Sequence, residues 1–263
     1  MIEEKPEFTP EFIKDKIASV PFWLHRIEIA PGIFTPGLSD TILKMTKIGL
    51  PDDLTGKRVL DVGPAEGAYS FECERRGAEV VAVGPIEANR GFEVARELLG
   101  SKVPYMRRSV YELKVSDLGK FDIVLFMGVL YHLRHPLLAL DCLHEMFEEQ
   151  LILETHVCDR GYVDSEGKPR ALDEFSPELE KTSMAQFFPA SELNNDSSNW
   201  WGFNEYGLRR ALETSGYRVT YFERFIRDRV ILHCEKTKRP KGTEFEVSEM
   251  LKGRLNRSQI PSD

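Results

Sequence analysis

Through the middle of the chain, short apolar runs of strand length alternate with stretches whose apolar residues recur every three or four positions. This pattern predicts a parallel sheet covered by helices on both faces. Residues 58–62, 80–83, 105–107, 123–127 and 151–154 read as five strands, and 218–224 and 229–234 as two more near the end. Residues 68–76, 88–99, 137–148 and 205–215 carry helical spacing, and Gly77, Gly100 and Gly216 stand where a helix stops. Only residues 225–228 join the last two strands, too few for a helical crossover, so those strands form an antiparallel hairpin. The predicted fold class is α/β, a Rossmann-like doubly wound sheet of seven strands with an antiparallel last strand. Two segments lie outside the sheet. Residues 1–50 read as a helical N-terminal extension with a loop bearing Pro31, Gly32, Pro36 and Gly37, and residues 157–203 as a polar, turn-rich insert as long as a lid. The core domain is then 51–236, and residues 237–263 form a tail, partly disordered or helical.

Composition narrows the classes. With 35 Lys+Arg against 43 Asp+Glu the chain of 263 residues carries a net charge of −8, which disfavours a protein gripping a nucleic-acid backbone over a wide face. Cys73, Cys142, Cys158 and Cys234 stand singly with no C-x-x-C, so neither a disulfide framework nor a structural zinc site is expected, and no metal is called for. Residues 1–7 are acidic, and no apolar run approaches the roughly 18 residues of a membrane span, so a cytoplasmic protein without a membrane partner is expected.

Chemistry concentrates at three places. VLDVGPAEGAYSF (59–71) is an apolar strand ending in an acid, followed by Gly63 and Gly67 before a helix; glycine permits the tight turn and a close ligand, and the helix adds its positive end. In nucleotide sites of this kind the second strand ends in a carboxylate for a ribose diol. Here Gly84 holds that position and Glu87 is the substitute, or else a solvated helix-start residue, while Ser109 in SVYEL lies near where an adenine would sit. FDIVLFMGVLYHLRHP (121–136) places His132 just after the fourth strand, at the carboxyl edge where open α/β sheets bind ligands.

The glycine motif, SVYEL, GVLYHLRHP, the loop PFWLHRIEIAPGIFTPG, FFPASEL and NWWGFN together resemble class I S-adenosylmethionine-dependent methyltransferases, in the subgroup similar to the bacterial tRNA wobble-uridine carboxymethyltransferase and its relatives. The resemblance implies a sheet ending in one antiparallel strand and S-adenosyl-L-methionine as cofactor. It places Asp61, Gly63 and Gly67 around the methionine moiety and Met127 and Tyr131 along the sulfonium region. The carboxymethyl enzyme binds a carboxylated cofactor through a lysine before the P-F of that loop, a tryptophan and lysine beyond it, a C-terminal arginine and the GVLYH tyrosine. This chain keeps Tyr131 but has Ser19 and Val20 before Pro21-Phe22 and no tryptophan in the TPG region, which favours the unmodified cofactor. Arg224, Arg227 and Arg229 keep the other open.

Methyl transfer needs position, desolvation and, for a hydroxyl acceptor, a base. His132 and His25 are the candidate bases, with a loop cap as the alternative role of His132 and a structural hydrogen bond as that of His25. Glu154, Asn199, Trp200, Trp201 and Asn204 are the candidate acceptor contacts, with one tryptophan expected in a pocket and the other in the core. The expected function is methyl transfer to a small polar or glycosylated molecule, at a hydroxyl. The alternatives are carboxymethyl transfer to tRNA, using the basic cluster KTKRPK (236–241), and a non-catalytic binding protein on the same fold; a homo-oligomer is compatible with all three.

Overall fold

The computed structural model describes residues 8–240, and its chain divides into two compact units. Residues 241–263, most of the expected tail, lie outside the described residues.

The first unit holds residues up to Val129 together with Met146–Thr155. Its elements in chain order are α1 (Pro10–Ala18), β1 (Glu28–Ala30), β2 (Ile33–Phe34), α2 (Thr41–Lys47), β3 (Arg58–Val62), α3 (Ala68–Arg75), β4 (Glu79–Gly84), α4 (Arg90–Leu99), β5 (Tyr105–Arg107), α5 (Val115–Leu118), β6 (Phe121–Met127) and β7 (Phe147–His156). The strands β7, β6, β3, β4 and β5 lie side by side and parallel. The central strands β3 and β6 are buried on both faces, which is why they read as nearly continuous apolar runs, while β5 at the sheet edge is partly exposed. The chain starts the sheet at β3, winds outward to β5 and returns to β6 on the other side, so the tips of β3 and β6 flank the point where the winding reverses. Helix α4 shows why the local sequence suffices for many elements. Asn89 caps it by accepting the Phe92 N–H at 2.7 Å, Gly100 ends it in the left-handed conformation, and its inner face buries Phe92, Val94, Ala95 and Leu98.

The N-terminal residues are part of this unit rather than a helical appendage. Thr9 caps α1 and Pro10 opens it, but residues 24–27 then run as an extended strap beside residues 35–39. Thr35 fixes the pairing, donating its hydroxyl to the His25 carbonyl (2.6 Å) and accepting the Ile27 N–H (2.8 Å). At the crossing a Cβ on Gly37 would stand 2.0 Å from the backbone carbon of His25, a distance no side-chain adjustment relieves. Gly37→Ala is therefore expected to lose about 3 kcal/mol of stability, because the two backbones must part and expose the buried Trp23 and Ile27. Urea denaturation measures it, and an unchanged midpoint would show that the crossing tolerates a side chain.

The second unit holds Leu130–Glu145 and the chain from His156 onward. It contains α6 (Pro136–Met146), β8 (Tyr162–Val163), β9 (Pro169–Arg170), β10 (Ala185–Phe187), β11 (Trp201–Phe203), α7 (Glu205–Thr214), β12 (Tyr217–Ile226) and β13 (Arg229–Lys236). The final pair is the antiparallel hairpin expected from its short connection. The complete strand order is β12-β13-β7-β6-β3-β4-β5, a seven-stranded mixed sheet of the expected Rossmann-like doubly wound kind. The 157–203 insert is built rather than loose: it forms the ribbons β8–β9 and β10–β11 over a small core of Val163, Phe188 and Leu193. The Gln186 side chain knits it together, accepting from the Val163 N–H and donating to its carbonyl. No helix among the described residues is long and apolar enough to cross a membrane.

Candidate functional site

In the first unit, the turn from β3 into α3 brings a carboxylate and a row of backbone N–H groups to the switch point of the sheet. Gly63 (φ +74°) and Gly67 (φ +83°) are both left-handed. A Cβ on Gly63 would lie 2.6 Å from Val129 Cγ2, and one on Gly67 2.6 Å from the Phe71 ring, so both positions exclude side chains for space as well as conformation. Ala65 lies between them at φ +49°, a left-handed residue that carries a Cβ and stores about 1–2 kcal/mol of strain.

Asp61 is 1% exposed. Ser70 donates its hydroxyl to Oδ2 at 2.6 Å, while Oδ1 has no hydrogen-bond partner among the described residues. Burial, only partly offset by Ser70, pushes the carboxyl up to about 6. A buried carboxylate oxygen without a partner, next to a glycine turn and a helix N-terminus, is the donor set that fits the ammonium and carboxylate of an amino-acid moiety. Met127 ends β6 beside β3, followed by left-handed Gly128, whose N–H donates to the Glu154 carbonyl at 2.9 Å.

Several expected contacts are placed differently. Glu87 does not stand at the strand tip; it is exposed and pairs with Arg107 at 3.4 Å. The space over Gly84 is filled by the Tyr105 hydroxyl, which donates to the Ile86 carbonyl at 2.9 Å. Ser109 is committed to a capping box, its Oγ accepting from the Tyr111 N–H and its own N–H donating to Glu112. Glu154 is buried with the Lys44 ammonium 4.0 Å away. His25 is buried against the edge of Tyr69, and its Nδ1 lies 3.5 Å from Glu66 Oε2. Burial and then the Lys44 charge push its pKa down to about 3, so the imidazole stays neutral where a general base would titrate and is suited to holding a hydrogen bond. The sequence reading missed Glu66, Ser70 and Lys44. Glu66, a charged residue inside a glycine turn, was the one with a visible signal.

In the second unit, Tyr131 and His132 follow β6 in a single 3-10 turn. Arg229 donates to the Tyr131 hydroxyl at 2.8 Å and stacks its guanidinium 4.5 Å from the ring centre. His132 Nδ1 lies 2.9 Å from Ser198 Oγ, and that hydroxyl also bonds Asp196 Oδ1 at 2.6 Å. A hydroxyl has one hydrogen and the carboxylate can only accept, so Ser198 donates to Asp196 and Nδ1 donates to Ser198. Nε2 is thereby the acceptor nitrogen. The Ser198 hydroxyl holds the Asp196 carboxyl below the usual range, which keeps it ionised at the end of this relay.

Neither tryptophan enters the core. Trp200 and Trp201 are half-buried and form a shelf with the exposed Phe187; the Arg134 guanidinium lies 4.1 Å over Trp200, and the Trp201 indole N–H donates to the Arg134 carbonyl. Asn204 is a correction. Its Oδ1 accepts from the Met184 and Gly207 N–H groups and its Nδ2 donates to the Leu179 and Thr182 carbonyls, so it caps α7 with nothing left for a substrate. Asn199 is buried and donates to the Leu193 carbonyl, bracing the turn that carries Ser198. In the basic cluster, Arg239 is paired to α6 through Asp141 and Glu145.

A family model described as a methyltransferase domain matches residues 37–221, more than half of the chain. Among solved structures, the chain is similar to the N-terminal domain of EvdMO1, crystallised in the presence of SAH and D-fucose, at 21% identity and TM-score 0.58 over 88% of this chain and 98% of that one. It is similar to a methyltransferase assigned as S-adenosylmethionine dependent from Listeria monocytogenes (14% identity, TM-score 0.54, 75% of this chain and 96% of that one). A third is the Burkholderia thailandensis 1,6-didemethyltoxoflavin-N1-methyltransferase (16% identity, TM-score 0.52, 89% and 93%). At these identities the likeness is one of fold.

Proposed function

Because this chain belongs to the methyltransferase-domain family that matches it over residues 37–221, we propose that it transfers the methyl group of S-adenosyl-L-methionine to a hydroxyl of a small-molecule acceptor. The observation that carries the cofactor assignment is Asp61: a buried carboxylate with one oxygen unpartnered among the described residues, at the switch point of the sheet. Support comes also from the S-adenosylhomocysteine with which the EvdMO1 domain and the Burkholderia thailandensis enzyme were crystallised.

When bound, S-adenosylmethionine supplies a methyl group already activated on a sulfonium. The chain has three remaining tasks. Asp61 would hold the ammonium through Oδ1, while the Ala65 and Glu66 N–H groups of the turn and the first turn of α3 would hold the carboxylate. His132, its tautomer fixed by Ser198 and Asp196, takes the acceptor's proton at Nε2. Trp200, Trp201 and Phe187 offer flat apolar surface on which a sugar or other ring of the acceptor stacks, consistent with the D-fucose named for EvdMO1.

Arg229 favours one second reading. It donates to the Tyr131 hydroxyl and lies over its ring, and an arginine with the tyrosine of the GVLYH motif is the pair that the resemblance implies for a carboxylated cofactor in carboxymethyl transfer to tRNA. Calorimetric titration with S-adenosylmethionine, S-adenosylhomocysteine and the carboxylated cofactor separates the readings. Binding of the first two at least as tight as the third is expected, followed by a screen of hydroxylated acceptors, and Arg229→Leu should change these affinities less than about threefold. A preference for the carboxylated form that Arg229→Leu abolishes would establish the second reading, and no binding of any adenosyl ligand would leave a non-catalytic protein on this fold.

A further inference from the structure

Glu66 sits in the glycine turn, yet its side chain faces away from every task assigned to that turn. It is 4% exposed, and its two carboxylate oxygens each accept a backbone N–H of the N-terminal strap: Oε1 from Leu24 at 3.2 Å and Oε2 from His25 at 3.1 Å. Two neighbouring N–H donors on one side chain require two acceptor oxygens. A glutamine would present its NH2 group to one of them, so this arrangement is specific to a carboxylate. Space has been left for it on α4, where a Cβ on Gly91 would stand 2.6 Å from Glu66 Cγ and 3.3 Å from the Trp23 ring.

The strap is the fixed side of this contact. Trp23 is buried and donates its indole N–H to the Ile17 carbonyl at 3.1 Å, the His25 carbonyl accepts from Thr35, and the Arg26 carbonyl accepts from Thr41 at 2.6 Å. The turn is the side that needs holding, because Ala65, next to Glu66, occupies the left-handed region without being glycine. A strained residue keeps such a conformation only when its surroundings over-determine it. The Gly63 N–H ties the start of the turn to the Val83 carbonyl at 2.8 Å, whereas the hydrogen bond from the Gly67 N–H to the Pro64 carbonyl closes the turn on itself and leaves Ala65 to be held by the Glu66 side chain.

We infer that Glu66 is a positioning residue for the cofactor: by clasping the Leu24 and His25 amides it holds the strained turn at Ala65 in the shape that presents the turn's N–H groups to the ligand. The inference rests on the S-adenosylmethionine reading proposed above. It goes beyond that reading in making affinity depend on a side chain that never touches the ligand and on a strap outside the glycine motif.

Titration of the full chain with S-adenosylhomocysteine, alongside thermal unfolding, tests it in four proteins: wild type, Glu66→Gln, Ala65→Gly and the double variant. Glu66→Gln is expected to weaken binding about tenfold or more and Ala65→Gly to change it less than about threefold. The double variant should regain at least about threefold of the loss, because glycine removes the strain that the clasp opposes. A role confined to global stability moves the melting temperature alone. Wild-type affinity in Glu66→Gln would overturn the inference, and so would a loss that Ala65→Gly leaves unrelieved. Failure of the wild type to bind would instead overturn the cofactor reading on which the inference rests. If Glu66→Gln does not yield folded protein, Gly91→Ala crowds the same carboxylate off the strap, and unchanged affinity in that variant would overturn the inference equally.

Discussion

Asp61→Asn is expected to stabilise the ligand-free protein by about 3 kcal/mol at pH 7 while weakening S-adenosylhomocysteine binding roughly thirtyfold. The first effect follows from burial. A carboxyl held at about 6 in the folded chain against an ordinary 3.8 prefers to be protonated there, so its ionised form opposes folding. That penalty is fully present above pH 6, shrinks as the pH falls towards 4 and is gone below it, because the group then carries its proton in both states. An asparagine keeps an acceptor oxygen for the Ser70 hydroxyl and has no charge to desolvate. The second effect follows from the unpartnered Oδ1, since a charged hydrogen bond to the ligand's ammonium contributes about 2 kcal/mol that a neutral amide does not supply. Wild-type affinity should also fall as the pH drops through 6, where the carboxylate takes up a proton. Urea denaturation at pH 7 and pH 4, with calorimetry across the same range, measures both. A variant less stable than wild type, or one that binds as tightly, would remove Asp61 from the role.

His132→Gln is expected to lower kcat by roughly 10²–10³ with a hydroxyl acceptor, leaving S-adenosylhomocysteine affinity within about twofold of wild type. Glutamine can reproduce the hydrogen bond to Ser198 but cannot accept a proton. Ser198→Ala should have a smaller effect in the same direction, because it releases the tautomer without removing the imidazole. Equal kcat in His132→Gln would show that the acceptor reaches transfer already deprotonated or needs no base.

How much of this was legible in the sequence depended on how local the determining physics is. Residues 58–62 and 105–107 are strands in the structure with those same bounds. Strand 58–62 is buried and largely apolar, strand 105–107 is the half-exposed sheet edge, and the turn chemistry around both is encoded within a few residues. The helix expected over residues 137–148 instead stops at Met146, and β7 begins at Phe147. The stretch FEEQ has good helix formers, but pairing of Phe147 with Phe121 and ion pairs from Glu148 to Lys120 and Glu149 to Lys57 draw it into the sheet. Of the site, Asp61, Gly63 and Gly67 could be read because one strand-turn-helix carries them. Asn204 caps a helix where the sequence suggests a ligand contact, because a helix N-cap and a binding amide look alike until the four groups around the side chain are seen.

The sequence by itself determined the strand-and-helix alternation, the terminal hairpin and the glycine turn, which rest on spacings within about fifteen residues, and its separate motifs carried the methyltransferase resemblance. Tertiary structure decided which polar groups remain for chemistry. The Asp61 carboxyl is raised and left with an unpartnered oxygen, Glu66 is spent on the Leu24 and His25 amides, and His132 gains a fixed tautomer from residues 64 and 66 positions further along the chain. Burial and hydrogen-bond partnership are properties of the space around a side chain. Residues far apart in sequence supply that space, so no local pattern records it.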